Sequence, residues 1–364
     1  MRRVVIGLWL AGLLGGCSAL NLGRGLGQEV DDPPGFPIER MWERDVQAAF
    51  GPSAALLTDQ YVVVGTRRGE IVVLDRTSGD SEGAVELGTS IEGAFAVSAD
   101  RSVVFVPTAD RNGGVTAYDV MRGQRRWVWK GGAVQGGVVR VEGTVVTATL
   151  AGTVAGLDAA TGEPRWVHEA TDGVQVHASP VVMGSDVLVA DDQGHVRLYD
   201  AAGGALRWTA DVGEPVYATP TSAEGAVFVS TTRGSIHKLD AATGATQWTV
   251  RAEAAPRLTA AAVADGVLLV AGTDGIVRQL DVATGDERWR FTSDGVVASS
   301  PLPFGGYVAI GTMDERVVVL DGDTGHEVWS TEVRGRVKSA IAAGGGMLVV
   351  LTEPRHVIAF RTAP

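Results

Sequence analysis

The sequence predicts an all-β fold, an eight-bladed β-propeller of four-stranded antiparallel blades closed by an N-terminal strand in the last blade. Three observations carry this. The pattern Leu-Asp-x-x-Thr-Gly-x-x-x-Trp is written repeatedly along the chain, each repeat holds four short apolar runs separated by turn residues, and each end of the chain holds a fragment of one further repeat. Asp75, Asp119, Asp158, Asp200, Asp240, Asp281 and Asp321 open successive copies 39 to 44 residues apart. That period lies in the range of propeller blades.

Within the copy from Arg257 to Trp289, Leu258 to Val263 is apolar and Ala264-Asp265-Gly266 is a turn. Val267 to Val270 is a second run, Thr273-Asp274-Gly275 turns again, Ile276 to Leu280 alternates, and Asp281-Val282-Ala283-Thr284-Gly285 turns into a strand ending at Trp289. These are four strands joined by hairpins. The Asp of the last turn accepts hydrogen bonds from amides two or three residues on, and the Gly takes a positive φ without a Cβ clash. Asp-x-x-x-Gly is therefore turn chemistry rather than a metal or catalytic site. A four-stranded sheet this short cannot bury both faces alone, so neighbouring copies must stack. The Trp is the large apolar group offered to that stack, with an indole N–H that needs a partner when buried.

Taken from the start, residues 1–16 read as a leader: Met1-Arg2-Arg3 is basic, Val4 to Leu14 is apolar, and small residues precede Cys17. The apolar run is too short for a membrane span and suits a signal peptide. Cys17 is the only cysteine in 364 residues. Its place resembles the bacterial lipobox, which implies an acylated Cys17 as the first residue of a mature lipoprotein, with no thiol left for a disulfide. Ser18, rather than Asp, resembles the outer-membrane sorting signal. Residues 17–37 read as a lipidated N-terminus and flexible tether, of which Asn21 to Pro37, with several Gly and Asp31-Asp32-Pro33-Pro34, reaches roughly 20–25 Å.

Residues 38–364 read as a single propeller domain. Ile38 to Val46 carries Trp42 with no turn motif before it, while the C-terminal end holds three strand-like runs, Val337 to Ala342, Met347 to Thr352 and Val357 to Phe360. Each fragment completes the other as a composite blade, which leaves no open sheet edge. Trp42, Trp127, Trp166, Trp208, Trp248, Trp289 and Trp329 stand at docking positions; the first unit has Gly79 but no Trp after it. One seam of the ring is thus expected to be the loosest. Seven blades with an irregular first unit is the alternative.

The formal charge of −12 becomes −14 once Arg2 and Arg3 leave with the signal. An acidic body without a basic run argues against nucleic acid, and leaves the lipid anchor as the only expected membrane contact. The six His residues fall at different places in the repeat, and no nucleophile-elbow, zinc-protease or phosphate-loop motif occurs. No catalytic or metal-binding residue is therefore predicted. What varies between repeats is the column that begins each innermost strand: Glu92, Gln135, His177, Tyr217, Leu258, Ala298 and Lys338. Glu92, Gln135, His177 and Tyr217 are the candidate channel-mouth residues, since variation at one end of a regular ring is where recognition sits.

The repeat resembles the propeller repeat of pyrroloquinoline-quinone-type proteins, in which Ala-x-Asp-x-x-Thr-Gly-x-x-x-Trp is the tryptophan-docking motif. Quinoprotein dehydrogenases of that fold carry adjacent cysteines against the cofactor; the single Cys17 leaves no such pair, so no cofactor is expected. Lipobox, length and repeat together resemble the BamB lipoproteins of the outer-membrane β-barrel assembly machine. That resemblance implies a monomeric, non-enzymatic scaffold on the periplasmic side of the outer membrane, whose partner is an envelope protein complex. Of the family's Leu-x-x-Arg-Gly-x-Ser only Arg-Gly remains, in Val333-Arg334-Gly335-Arg336. Its Asp-x-Asp-x-Thr-Pro corresponds at best to Gln175 to Pro180, without either acid. Arg334, Gly335, Arg336 and Lys338 are the partner-binding candidates, a local positive site in an acidic protein. A ligand- or cofactor-binding propeller using the channel mouth, and a scaffold of another envelope complex, are the alternatives.

Overall fold

The computed structural model describes residues 20–23, 25–88, 90–170 and 173–364; residues 1–16, read above as a leader, and Cys17 lie outside them. Eight antiparallel sheets follow one another around a ring, and the described residues contain no helix. Blade 1 spans 56–86, blade 2 96–129, blade 3 138–168, blade 4 181–211, blade 5 221–251, blade 6 262–292 and blade 7 302–332, each with its four strands in chain order from the inside outwards. Blade 8 is composite. Two short inner strands, Arg336–Val337 and Ala342–Gly344, pair with Met347–Glu353, which pairs with His356–Thr362, and Ile38–Asp45 forms the outer edge. That closing pair runs from Ile38 opposite Thr362 to Asp45 opposite His356, with one register shift between Arg40 and Trp42.

Blade 3 illustrates how the repeated residues build a unit. Asp158 Oδ1 accepts the amides of Ala160 and Thr161 at 2.9 and 3.0 Å, which tightens the turn. A bulge in the outer strand, where the register shifts between Gly156 and Leu157, turns Arg165 back so that it donates to Asp158 Oδ2 at 2.7 Å. A bulge of this kind re-aims one side chain without ending the ladder. Arg207 on Asp200 and Arg288 on Asp281 repeat it.

Seams between blades are made by the tryptophans. The indole of Trp127 covers Gly162 of the next blade so closely that a Cβ there would lie 2.5 Å from the ring, and its Nε1–H donates to Ala159 O at 3.1 Å. Gly is required on both counts, since its φ is +76°. Trp42, Trp166, Trp208, Trp248 and Trp289 cover Gly79, Gly204, Gly244, Gly285 and Gly325 in the same way. Their N–H groups donate to the carbonyls of Arg76, Ala201, Ala241, Val282 and Gly322 at 2.9–3.1 Å. Trp329 differs: blade 8 has no Asp-x-x-x-Gly turn to receive it, and it meets Phe360 edge-on at 5.8 Å instead. Behind the indoles, buried Val, Leu and Ile of adjacent blades interleave, as Ile71 and Val73 do with Val104 and Val106.

Two expectations are corrected. The inner strand of blade 6 begins at Ala262, not Leu258: the chain entering each blade is first drawn against the preceding blade, as in the bond from Leu258 N–H to Thr231 O. The stretch read as a flexible tether is also packed from Leu20 onward. Leu20 and Leu26 are buried, Asp59 N–H donates to Gln28 O, Val30 N–H to Leu57 O, and Gly346 N–H to Asp32 O. Its glycines suggest coil, but its leucines match apolar ground on the ring, and burial of each is worth about 1.5–3 kcal/mol.

Candidate functional site

The innermost strands converge on the axis, and their approach is tight enough that a Cβ on Gly93 would overlap the carbonyl of Gly136. Lateral bonds tie them together: Gly137 N–H donates to Ser179 Oγ at 2.8 Å and Ser179 N–H to Thr219 Oγ1 at 3.2 Å. This rigid collar places the residues that precede each inner strand side by side.

There the polar side chains form a nearly continuous belt. Arg257 lies 4.9 Å over the ring of Tyr217, a cation–π distance. Tyr217 and His177 have ring centroids 4.3 Å apart. His177 Nδ1 is 2.7 Å from Gln135 Oε1, and Gln135 Nε2 donates to Glu92 Oε2 at 3.2 Å. Arg67 bridges onward, 3.8 Å from Glu92 and 3.6 Å from Glu353. Glu353 also holds Lys338 at 2.5 Å and Arg336 at 4.0 Å. Burial holds the His177 imidazole below its usual pKa, and its Nε2 lies 3.2 Å from Gln175 Oε1. Leu258 and Ala298, the two apolar residues of the column, take no part in the belt.

The four predicted mouth residues are thus in contact with their neighbours, and the basic loop joins them through Glu353 and Arg67. The two candidate surfaces are one. Lys338, read as part of the local positive site, lies 2.5 Å from Glu353, because the strand ending at Glu353 pairs with Arg336–Val337 just before it. Arg334 remains 78% exposed with Glu43 at 3.9 Å, and Arg336 55% exposed. Gly335 has φ +100°, and a Cβ there would strike the carbonyl of Glu353, so the loop's path depends on it.

Arg67, Glu353 and Arg257 are absent from the sequence reading. The first two share a second variable column, one residue after a framework Thr or Asp at 66, 149, 191, 231, 312 and 352. In four of these the hydroxyl accepts the amide four residues on, at 2.9–3.2 Å. Aligning that column beside the first would have found them. Among the described residues no group of three His, Cys, Asp or Glu side chains is disposed to hold a metal ion.

Comparison with known proteins agrees with this architecture. The family model described as outer membrane protein assembly factor BamB matches residues 39–175, 150–294 and 273–363. The chain belongs to the BamB family. A curated BamB of Nitrosomonas eutropha is 35% identical over 63 residues, which is 17% of this chain and 15% of that protein's length. The crystal structure of BamB from Moraxella catarrhalis superposes with a TM-score of 0.76 at 19% identity, covering 89% of this chain and 98% of that one. A europium-containing methanol dehydrogenase also superposes, with a TM-score of 0.72 at 11% identity over 89% of this chain and 93% of its own. At such identities both structures speak for the fold alone.

Proposed function

We propose that the protein is a non-enzymatic scaffold, anchored in the outer membrane through an acylated Cys17 and facing the periplasm. Its role is to grip a component of an envelope protein complex, the β-barrel assembly machinery. The observation that carries the reading is the joined belt and basic loop on one face of a BamB-family ring: a surface that differs from blade to blade on a scaffold that does not. A rigid collar leaves little conformational freedom to lose on binding. Tyr217, Arg257, Arg334 and Arg336 are of the residue types that dominate interface energies. The exposed arginines suit a partner carboxylate, to which a guanidinium makes charge-assisted hydrogen bonds.

Recovery of partners from detergent-solubilised membranes with the full lipidated chain tests it. Breaking one side of a buried charge pair typically costs 2–5 kcal/mol, so Arg334→Glu with Arg336→Glu is expected to weaken recovery at least tenfold while the fold is kept. Lys338 is a poorer probe, since a substitution there unbalances Glu353 first. A small ligand at the mouth is the second reading, favoured by the stacked Arg257, Tyr217 and His177. If recovery survives the arginine changes but is lost in His177→Ala with Tyr217→Ala, the scaffold grips through the mouth and the basic loop has no part.

A further inference from the structure

Blade 1 is the one repeat with a docking turn on its neighbour but no Trp of its own. The position that should hold it is Gly83, opposite Val73 as Trp127 is opposite Ala117. Leu20 fills that space: its Cδ1 lies 3.0 Å from where a Cβ on Gly83 would stand. The indole hydrogen bond is replaced as well. In the six indole seams the acceptor is the carbonyl of the residue after the turn Asp, which in blade 2 is Val120, after Asp119. Val120 O accepts the Leu22 N–H at 2.8 Å. Leu20 O in turn accepts Tyr118 Oη–H at 3.0 Å, and Leu26 N–H donates to Arg101 O. The seam expected to be loosest is therefore closed by the chain's own N-terminal strap, which imitates the missing tryptophan in both its apolar bulk and its donor.

We infer that this strap makes the lipid anchor an orienting contact, with the rim of blades 1 and 2 turned to the bilayer surface. The inference rests on acylation of Cys17 as proposed above. Only Ser18 and Ala19 separate Cys17 from the docked Leu20, a span of at most about 10 Å, whereas a free tether of residues 21–37 would reach roughly 20–25 Å and let the ring tumble. The rim beside the strap carries groups that a headgroup layer accepts. Met121 is 41% exposed next to Gly25, and Arg122 is 69% exposed. Exposed apolar and cationic groups together suit an anionic lipid surface.

The test uses the acylated full chain in vesicles of phosphatidylethanolamine and phosphatidylglycerol that carry an acceptor dye on the headgroup. With Cys17 consumed, a donor dye goes on one new thiol, either Glu82→Cys on blade 1 or Gln247→Cys on blade 5. The two positions share a register on opposite sides of the ring. Energy transfer is expected to be about threefold higher from position 82, given a leash of about 10 Å rather than 20–25 Å. Adding Leu20→Asp should make the two positions equal while the protein still floats with the vesicles. Arg122→Glu, an exposed change, should reduce the difference with the sheet circular-dichroism spectrum unchanged; no reduction would remove the headgroup contact from the inference. Equal transfer from both positions in an otherwise unaltered, floating protein overturns the orientation alone. Failure of that protein to float overturns the anchor and the orientation with it.

Discussion

The closing strand allows a sharp energetic test, because Trp42 and Gly79 belong to opposite ends of the ring's seam and touch. Trp42→Ala removes a half-buried indole and leaves Arg76 O without its donor at 2.9 Å. Large aromatic truncations cost about 3–5 kcal/mol, and partial burial puts this one near 3. Gly79→Ala acts from the other side. Its φ of +71° disfavours any Cβ, for about 1 kcal/mol, and the Cβ would stand 2.6 Å from the Trp42 ring, an overpacking worth about 1–3 kcal/mol more. In the double variant the ring is gone, so only the backbone term of Gly79→Ala survives. The pair should therefore cost about 4 kcal/mol rather than the roughly 6 that addition gives, a coupling of about 2 kcal/mol. Urea denaturation of the full chain gives the three values. Amide exchange along Ile38–Asp45 and His356–Thr362 shows whether the loss sits at the closure. Additive effects, or exchange that accelerates elsewhere but not in these two strands, would refute the seam as described.

Other outcomes follow from the same geometry. Arg165 and two turn amides hold the Asp158 carboxyl down to about 2, below its unfolded value of 3.8, so its contribution is full above pH 3.8 and is lost as pH falls towards 2. Asp158→Asn should flatten that part of an acid-unfolding curve. Burial lowers the pKa of His177 and His237, so stability is full above their unfolded value of about 6.5 and falls below it as the unfolded state takes up protons first. His177→Gln with His237→Gln should make the urea midpoint nearly level between pH 7.5 and 5. Cys17→Ser should give a chain that is unprocessed or carries no lipid; mass spectrometry of an unmodified mature N-terminus in the original protein would count against the anchor.

The ring was legible in the sequence because its determinants are local and repeated: an Asp that caps a turn, a Gly that must be Gly, and a Trp four residues on. The mouth column was legible for the complementary reason, as positions that break the repeat while their neighbours keep it. What stayed hidden was contact between columns. Glu353 ends the strand Met347–Glu353 and Lys338 follows the strand Arg336–Val337, and it is the antiparallel pairing of these two strands that brings their charges to 2.5 Å. The strap was hidden by composition, since a run with Gly23, Gly25 and Gly27 has no period and no element, and its leucines have meaning only against the one seam that lacks an indole. The absence of a Trp after Gly79 was visible from the start. It signalled a vacancy, and a vacancy on a closed ring needs an occupant: the seven other seams each hold an indole, and an empty eighth would leave a cavity costing kilocalories. A missing framework residue in a repeat is therefore a reason to search the non-repetitive ends of the chain for its replacement. Here that search leads to the segment just behind Cys17, so that the acylation proposed for that residue would couple the stability of the ring to the place where the chain meets the membrane.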